Sequence, residues 1–215
     1  KNNQKYLDYG MGLRSVTIGY ANNEINKSAF DGIKKGNNLT RSSEIELKAA
    51  ETFVNNFNSV DMVKFAKNGS NVTTAAIKLA RAYTQRDYIL VPKQHPFFSF
   101  DDWFIGSTVM KQGTLRSERK FTLKFDYNNQ SSVLKLVSKY KKKIACIILE
   151  PSTFISPCET VCKENFSNNS PCSNCKNNKN NFLNFIRNLC DNEKIVLIFD
   201  EIITGYRWHK KGAQT

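Results

Sequence analysis

Two acidic residues each follow directly on a short apolar run. Glu150 comes after "IACIIL" (residues 144–149), and Asp200 comes after "IVLIF" (residues 195–199). Such runs are typical of strands buried on both faces of a parallel sheet, and open α/β sheets bind their ligands at the carboxyl ends of the strands. Because a buried carboxylate needs a positive or hydrogen-bonding partner, the pair indicates a metal site, a cofactor site or two carboxylates that only face a loop.

A glycine-serine pair has the setting of an anion site. The segment "KFAKNGSNVTTAAIKLARAY" leads from a predicted strand (residues 62–66) through Gly69 and Ser70 into a helical pattern (residues 72–83). The first N–H groups of a helix have no partner within the helix and lie at the positive end of its dipole, which suits a phosphate. The segment matches neither of the common glycine-rich phosphate motifs, so an ordinary strand-to-helix turn stays open as an alternative.

Four cysteines have the spacing of a metal site. They follow the pattern C-x3-C-x9-C-x2-C inside an aperiodic polar stretch, residues 156–181, that reads as an insertion: Cys158, Cys162, Cys172 and Cys175. Two closely spaced thiolate pairs suit a tetrahedral structural zinc ion, which would order a loop with little core of its own. An iron–sulfur centre and unligated thiols are the alternatives. Cys146 and Cys190, in a predicted strand and helix, are expected to be small buried residues.

Strands and helices alternate between these residues. Helices are predicted over residues 23–35, from a capping box at Ser43 and Glu46, over 72–83 and over 180–192. Strands are predicted over residues 62–66, 88–91, 144–149 and 195–199. This order predicts an α/β fold with a mostly parallel sheet flanked by helices. Residues 1–45, which include short β-like runs, are predicted to form an N-terminal arm or small-domain segment, and residues 46–215 an incomplete major domain.

The composition argues against several classes of partner. The net charge of +13 invites a nucleic-acid ligand, but the basic residues are scattered and no recognition motif accompanies them. No apolar run is long enough to cross a bilayer, so no membrane partner is expected. The first residues contain neither an initiating Met nor the apolar region of a signal peptide. The chain is therefore expected to begin inside a longer, cytoplasmic protein.

Six segments together resemble class III aminotransferases, above all glutamate-1-semialdehyde aminomutases and the aminotransferases of surface-polysaccharide pathways. In chain order they are "YLDYGMGLRSVTIGYANNEI", "EIELKAAETFVN", "MVKFAKNGSNVTTAAIKLARAYTQRD", "DDWFIGS", "ACIILEP" and "LIFDEIITGYR". The resemblance covers nearly the whole chain except the cysteine insertion. It implies a fold-type I enzyme that uses pyridoxal 5'-phosphate to move an amino group between small molecules, and a homodimer when intact.

The resemblance also implies roles for individual residues. Gly69 and Ser70 match the turn that holds the cofactor phosphate, and Asp200 matches the acid that pairs with the pyridine nitrogen. Phe97 and Ile202 match the residues that pack on the two faces of the pyridine ring. Glu150 matches the acid beside the active site and is therefore the predicted catalytic residue.

The chain also departs from the family pattern. Phe98 and Ser99 replace the usual His-Gly, and Asn68 and Asn71 replace the common Ser and Glu of the phosphate turn. The family's Schiff-base lysine is expected beyond the last residue of the sequence, so the fragment alone is predicted to be inactive. The alternatives are a non-catalytic, zinc-bearing binding module that has kept the fold, or an aminotransferase acting on a sugar or polysaccharide precursor.

Overall fold

The computed structural model of the chain describes residues 2–37, 39–94, 97–152, 155–158 and 181–214. These residues form two compact units, Lys1–Val63 and Lys64–Thr215. The sequence placed a domain boundary at residues 45 and 46, 18 residues earlier than this division (63 − 45). The assignment of those domains to an arm and a major domain stays a prediction. No helix within the described ranges has the length and apolar character needed to cross a membrane.

The first unit contains the short helix α1 (Met11–Arg14) and two longer helices, α2 (Asn23–Lys35) and α3 (Glu44–Asn56). The predicted helix over residues 23–35 is confirmed. The predicted capping box is confirmed too: the Ser43 hydroxyl accepts the N–H of Glu46, and the Glu46 carboxylate accepts the N–H of Ser43 at 2.7 Å. Both helices are therefore fixed by signals within a few residues of their ends.

One strand prediction next to this unit, over residues 62–66, is wrong, and the short β-like runs near the amino end have another structure. The glycine-rich N-terminal segment has no strand among residues 2–37; it contains α1, a single turn in which Gly12 and Leu13 have φ angles of +57° and +55°. Residues 62–66 have no regular secondary structure, and Met62 is 89% exposed. A run of apolar and β-branched residues becomes a strand only where a neighbouring strand supplies hydrogen bonds and packing, and within the described residues neither segment has one.

The second unit alternates strands and helices. Its elements in chain order are α4 (Gly69–Thr84), β1 (Tyr88–Pro92), α5 (Asp102–Ile105), α6 (Arg116–Arg119), β2 (Thr122–Phe125), α7 (Gln130–Lys139), β3 (Ile144–Leu149), α8 (Phe182–Glu193) and β4 (Val196–Phe199). The strands form one sheet in the order β2-β1-β3-β4, and every pair is parallel. The predicted α/β fold with a parallel sheet is confirmed, although β2, α5, α6 and α7 were not predicted.

Helices cover both faces of the sheet. On one face Leu90 of β1 packs in a cluster with Val133 of α7 and Ile186 of α8. On the other face Ile89, the preceding residue of β1, packs with Ile77 of α4. Successive side chains of a strand point to opposite faces, so strands covered on both sides must be apolar throughout, as the fully buried β3 is. Polar side chains lie instead at the carboxyl ends of the strands, where Glu150 follows β3 and Asp200 follows β4.

Candidate functional site

Asp200 lies directly after β4 and is buried, with 6% of its surface exposed. Its backbone N–H donates to the carbonyl of Leu149, which extends the pairing of β3 with β4 by one residue. Its Oδ1 accepts the N–H of Ile202 at 3.0 Å. No donor within the described residues reaches Oδ2. Burial raises the pKa of the Asp200 carboxyl, the hydrogen bond from Ile202 opposes that rise, and the charge of Glu201 adds to it.

Ile202 connects the Asp200 strand end with the turn at Gly69. A Cβ atom built on Gly69 would lie 2.6 Å from Cδ1 of Ile202, far inside van der Waals contact. The side chain of Ile202 therefore rests directly on the Gly69 backbone, at a point where any side chain on residue 69 would displace it. Ile202, two residues after the acid predicted to pair with the pyridine nitrogen, thus contacts the turn predicted to hold a phosphate.

The amino end of α4 presents backbone donors with no acceptor. Gly69 and Ser70 are the first two residues of the helix, and the Asn68 side chain caps it by accepting the N–H of Asn71 at 3.0 Å. Within the described residues the N–H groups of Gly69 and Ser70 have no partner, as expected for the first turn of a helix. Two such groups at the positive end of a helix of 16 residues form a setting for an anion.

Phe97 lies on a loop that packs against this helix end. Its ring contacts Phe100 edge-on, with centroids 4.8 Å apart, and the N–H of Phe100 donates to Ser70 Oγ at 3.3 Å. Phe97 is 38% exposed, whereas the next residue, Phe98, is 2% exposed and packs in the core. Of the two adjacent phenylalanines, Phe97 is the one with surface left to contact a ligand. His95 and Pro96, just before it, lie outside the described residues.

Glu150 ends β3 as Asp200 ends β4, and the strands pair Leu149 with Phe199. The two acids therefore occupy adjacent positions at the edge of the sheet, and both are buried. Burial raises the pKa of the Tyr127 hydroxyl, with smaller contributions from Cys158 and Glu150, so Glu150 lies within electrostatic reach of that ring. Tyr127 itself donates to the carbonyl of Pro151 at 2.8 Å.

The predicted cofactor residues fall into two connected groups that meet at the start of α4. Asp200 and Ile202 reach Gly69 through the contact of Ile202, and Phe97 reaches Ser70 through Phe100. Glu150 is placed beside them only by the strand register. The structure thus brings these residues to one edge of the sheet, while their roles toward a cofactor stay predictions.

The predicted zinc site is described only at its first residue. Cys158 is fully buried, and its N–H donates to Oδ1 of the buried Asn128 at 2.9 Å. Cys162, Cys172 and Cys175 lie outside the described residues. Among the residues that are described, His, Cys, Asp and Glu side chains form no cluster of three or more that could hold a metal. The zinc site therefore stays a prediction.

Sequence reasoning overlooked Glu201, which closes the loop that follows Asp200. Its Oε2 accepts the N–H of Ala213 at 2.7 Å and the hydroxyl of Thr204 at 3.1 Å, and its Oε1 accepts the N–H of Gln214 at 3.2 Å. Gly212 has a φ of +83°, and a Cβ there would lie 2.6 Å from Oε1. A glutamate followed at a distance by glycine in a polar loop is too weak a pattern to have indicated this closure.

Comparison with known proteins identifies the family of this chain. The model of the family described as aminotransferase class-III matches residues 1–154. The chain belongs to the class III aminotransferases. Within this family it is 31% identical to the glutamate-1-semialdehyde 2,1-aminomutase of Wigglesworthia glossinidia brevipalpis, over 99% of this chain and 47% of that protein. It is 30% identical to the aminomutase of Thermosipho melanesiensis, over 99% of this chain and 48% of that protein. The chain spans about half the length of the curated relatives it matches.

Solved structures agree with the class III assignment. The FumI protein of Sphingopyxis sp. MTA144, in its PLP internal aldimine form, matches 92% of this chain and 43% of its own, with a TM-score of 0.71 and 27% identity. An omega-transaminase from Sphaerobacter thermophilus matches 97% of this chain and 47% of its own, with a TM-score of 0.78. At 21% identity the second likeness shows the fold alone. The aminotransferase family and the fold implied by the six sequence segments are both confirmed.

Proposed function

We propose that the chain forms the phosphate-binding and pyridine-binding half of a pyridoxal-phosphate-dependent aminotransferase or aminomutase of the glutamate-1-semialdehyde type. One observation supports this most directly. Among the described residues, a buried carboxylate has one oxygen without a donor and a helix end has two N–H groups without an acceptor, and the side chain of Ile202 joins the two. A ligand with an anionic group at one end and a protonated ring nitrogen at the other would satisfy both. Pyridoxal phosphate has both groups.

The residues present fit this cofactor. The N–H groups of Gly69 and Ser70 and the Ser70 hydroxyl would hold the phosphate, and Asp200 would accept a hydrogen bond from the protonated pyridine nitrogen. Phe97 and Ile202, which are 38% and 59% exposed, have free surface to pack on the ring. When bound, pyridoxal phosphate supplies the electron sink for chemistry at the carbon that bears the amino group.

Asp200 has the most direct part in controlling the chemistry. Its charge is poorly compensated, because burial disfavours the carboxylate and one backbone N–H is its only donor in the described residues. A cation placed against Oδ2 would therefore gain a charge-assisted hydrogen bond in surroundings with little water. The carboxylate in turn keeps the proton on that cation. Glu150, buried beside Asp200, is proposed as the catalytic acid that faces the reacting group.

The substrates, assembly and location belong to the same proposal and rest on the family. The amino donor and acceptor would be small molecules, with glutamate-1-semialdehyde favoured because the aminomutases match 99% of this chain. The intact enzyme would be a cytoplasmic homodimer. A zinc-bearing module without catalysis is the alternative if the binding test below fails, whereas an aminotransferase acting on a sugar or polysaccharide precursor would also bind the cofactor and would differ only in its substrate.

Equilibrium dialysis of the chain against pyridoxal phosphate tests the proposal without requiring activity. Asp200→Asn removes the charge but keeps an oxygen for the N–H of Ile202, so cofactor affinity should fall roughly tenfold or more, as for a lost hydrogen bond to a charged group. Asp191→Asn is the matched control, because Asp191 forms an exposed ion pair with Arg187 on α8. It should bind like the wild type. The proposal fails if the wild type does not bind the cofactor, or if the two variants bind it equally.

A further inference from the structure

A partly buried path of hydrogen bonds runs from α5 to the start of α4, where the turn proposed to hold the phosphate lies. The indole N–H of Trp103 donates to the Thr74 hydroxyl at 2.9 Å. The hydroxyls of Thr74 and Ser99 are 3.0 Å apart, and Ser99 Oγ lies 3.5 Å from the carbonyl oxygen of Ser70. Trp103 and Ser99 are both buried. Sequence analysis gave no role to Trp103, Thr74 or Ser99; of the residues on this path only Ser70 belongs to the predicted site.

The protons on this path have one arrangement that satisfies every group. Thr74 Oγ1 already accepts from the indole, so its own proton is free to go to Ser99. Ser99 Oγ also accepts the N–H of Asp101 at 3.1 Å, and its proton then goes to the carbonyl of Ser70. In the reverse order the Thr74 proton would have no acceptor among the described residues. Only the direction Trp103 to Thr74 to Ser99 to Ser70 gives each of these partly buried donors a protein acceptor, so it is favoured.

The path leaves the donors of Ser70 available for a ligand. The Ser70 hydroxyl oxygen accepts the N–H of Phe100 at 3.3 Å, so its proton is the part of the group with no partner in the described residues. A second link from the same helix turn holds the loop, since the hydroxyl of Thr73 donates to the carbonyl of Phe98 at 2.8 Å. The carbonyl and side-chain oxygens of Ser70 thus both bond to the loop, while its N–H and O–H donate to no acceptor in the described residues.

We propose that Ser99 and Thr74 are positioning residues that fix Ser70 for binding the phosphate of the cofactor. The inference rests on the proposed function and adds to it, because residue 99 stands where the family usually has glycine, which has no hydroxyl. In this chain the phosphate turn is held by a side-chain relay anchored on Trp103. Neither Ser99 nor Thr74 touches the ligand.

Substitutions that remove one hydroxyl at a time test the relay. Ser99→Ala and Thr74→Val each break it with little change of volume, whereas Thr74→Ser keeps the hydroxyl. Thr84→Val is the matched control, because Thr84 lies at the far end of α4 and donates only to the carbonyl of Ala80 within the described residues. Affinities for pyridoxal phosphate and for pyridoxal, which lacks the phosphate, are measured for each. The ¹H–¹⁵N resonance of the Trp103 indole, one of two in the chain, reports on the relay itself.

Ser99→Ala and Thr74→Val should bind pyridoxal phosphate roughly fivefold more weakly, the effect of one neutral hydrogen bond, with pyridoxal unaffected. Thr74→Ser and Thr84→Val should match the wild type, and the indole resonance should move in Thr74→Val but not in Thr74→Ser. Equal affinity of all variants for pyridoxal phosphate overturns the inference. If the wild type itself fails to bind, the proposed function is overturned instead. If Ser99→Ala does not fold, Ser99→Gly replaces it, since it reproduces the residue common in the family.

Discussion

Replacing Gly69 by alanine tests the contact that joins the two halves of the site. The added Cβ would lie 2.6 Å from Cδ1 of Ile202 and 3.8 Å from Cγ1. Carbon atoms in contact prefer about 3.5 to 4.0 Å, so the terminal methyl of Ile202 must retreat by about 1 Å. The strain falls on a flexible side-chain end, and 59% of Ile202 is exposed, so the side chain has room to rotate.

The expected energies are small and nearly cancel in the single variant. Forcing Ile202 off its preferred rotamer costs about 0.5 to 1.5 kcal/mol. Alanine returns about 0.4 to 1 kcal/mol, because it restricts the unfolded chain and Gly69 does not have a positive φ. The net change in the free energy of unfolding should therefore lie within about 1 kcal/mol of zero. In the double variant Gly69→Ala with Ile202→Ala the clashing methyl is gone. Compared with Ile202→Ala alone, it should therefore show only the gain in stability from alanine at residue 69.

A double-mutant cycle on these two residues isolates the contact. Urea unfolding of the wild type, both single variants and the double variant should give a coupling energy of about 0.5 to 1.5 kcal/mol. Gly32→Ala in α2 is the control, since nothing lies within 4 Å of a Cβ there, and it should stabilise the protein by about 0.4 to 1 kcal/mol. Pyridoxal phosphate should bind more weakly to Gly69→Ala. Additivity within about 0.3 kcal/mol would refute the contact between residues 69 and 202.

Three further predictions concern other parts of the chain. Asp200→Asn should be more stable than the wild type near neutral pH but not below the usual carboxyl range. The raised pKa means that the native state holds its proton more tightly than the unfolded state, so wild-type stability falls as pH rises through that pKa. Melting temperatures from about pH 3 to about pH 8 check this, and equal values throughout would contradict it. Protein purified without chelator should contain about one zinc per chain, lost on replacing Cys172 and Cys175 by serine but kept in Cys146→Ala; a metal-free wild type would disprove the site. Asn128→Ala should lower the free energy of unfolding by about 2 to 4 kcal/mol, because this buried residue has a φ of +61° and makes two backbone hydrogen bonds of 2.9 Å at the entry of the insertion. Asn128→Gly should recover about 1 kcal/mol of that loss in a denaturant titration, and no difference between the two would contradict the role of the backbone conformation.

The elements predicted correctly were those specified by neighbouring residues. The capping box needs only Ser43 and Glu46, three positions apart, and the amino end of α2 is capped by Asn22, whose side chain accepts two N–H groups. Likewise β3 is apolar at all six positions because both its faces are covered. Such signals can be recognised in the sequence without knowledge of the tertiary structure.

The errors concern strands whose existence depends on a partner. β2 was not predicted, since "TLKF" is short and includes Lys124, yet it pairs with β1 in a register that sets Leu123 against Leu90. Residues 62–66 have a similar composition, also with one lysine among apolar residues, and form no strand. Pairing is decided by which segments meet in the folded chain, and a local pattern does not contain that information.

The site shows the same division between local and distant information. Its parts could be predicted because strand ends and helix starts have local signatures, but the contact of Gly69 with Ile202 and the link of Ser99 to Ser70 join residues far apart in the chain. The more informative feature is what the described part of the chain leaves without a partner: two N–H groups at one end and a buried carboxylate oxygen at the other. Natural proteins satisfy their buried polar groups almost everywhere, and the exceptions concentrate where a ligand completes them. Because the described residues leave donors on one side and an acidic acceptor on the other, the ligand we propose for this site is anionic at one end and a proton donor at the other.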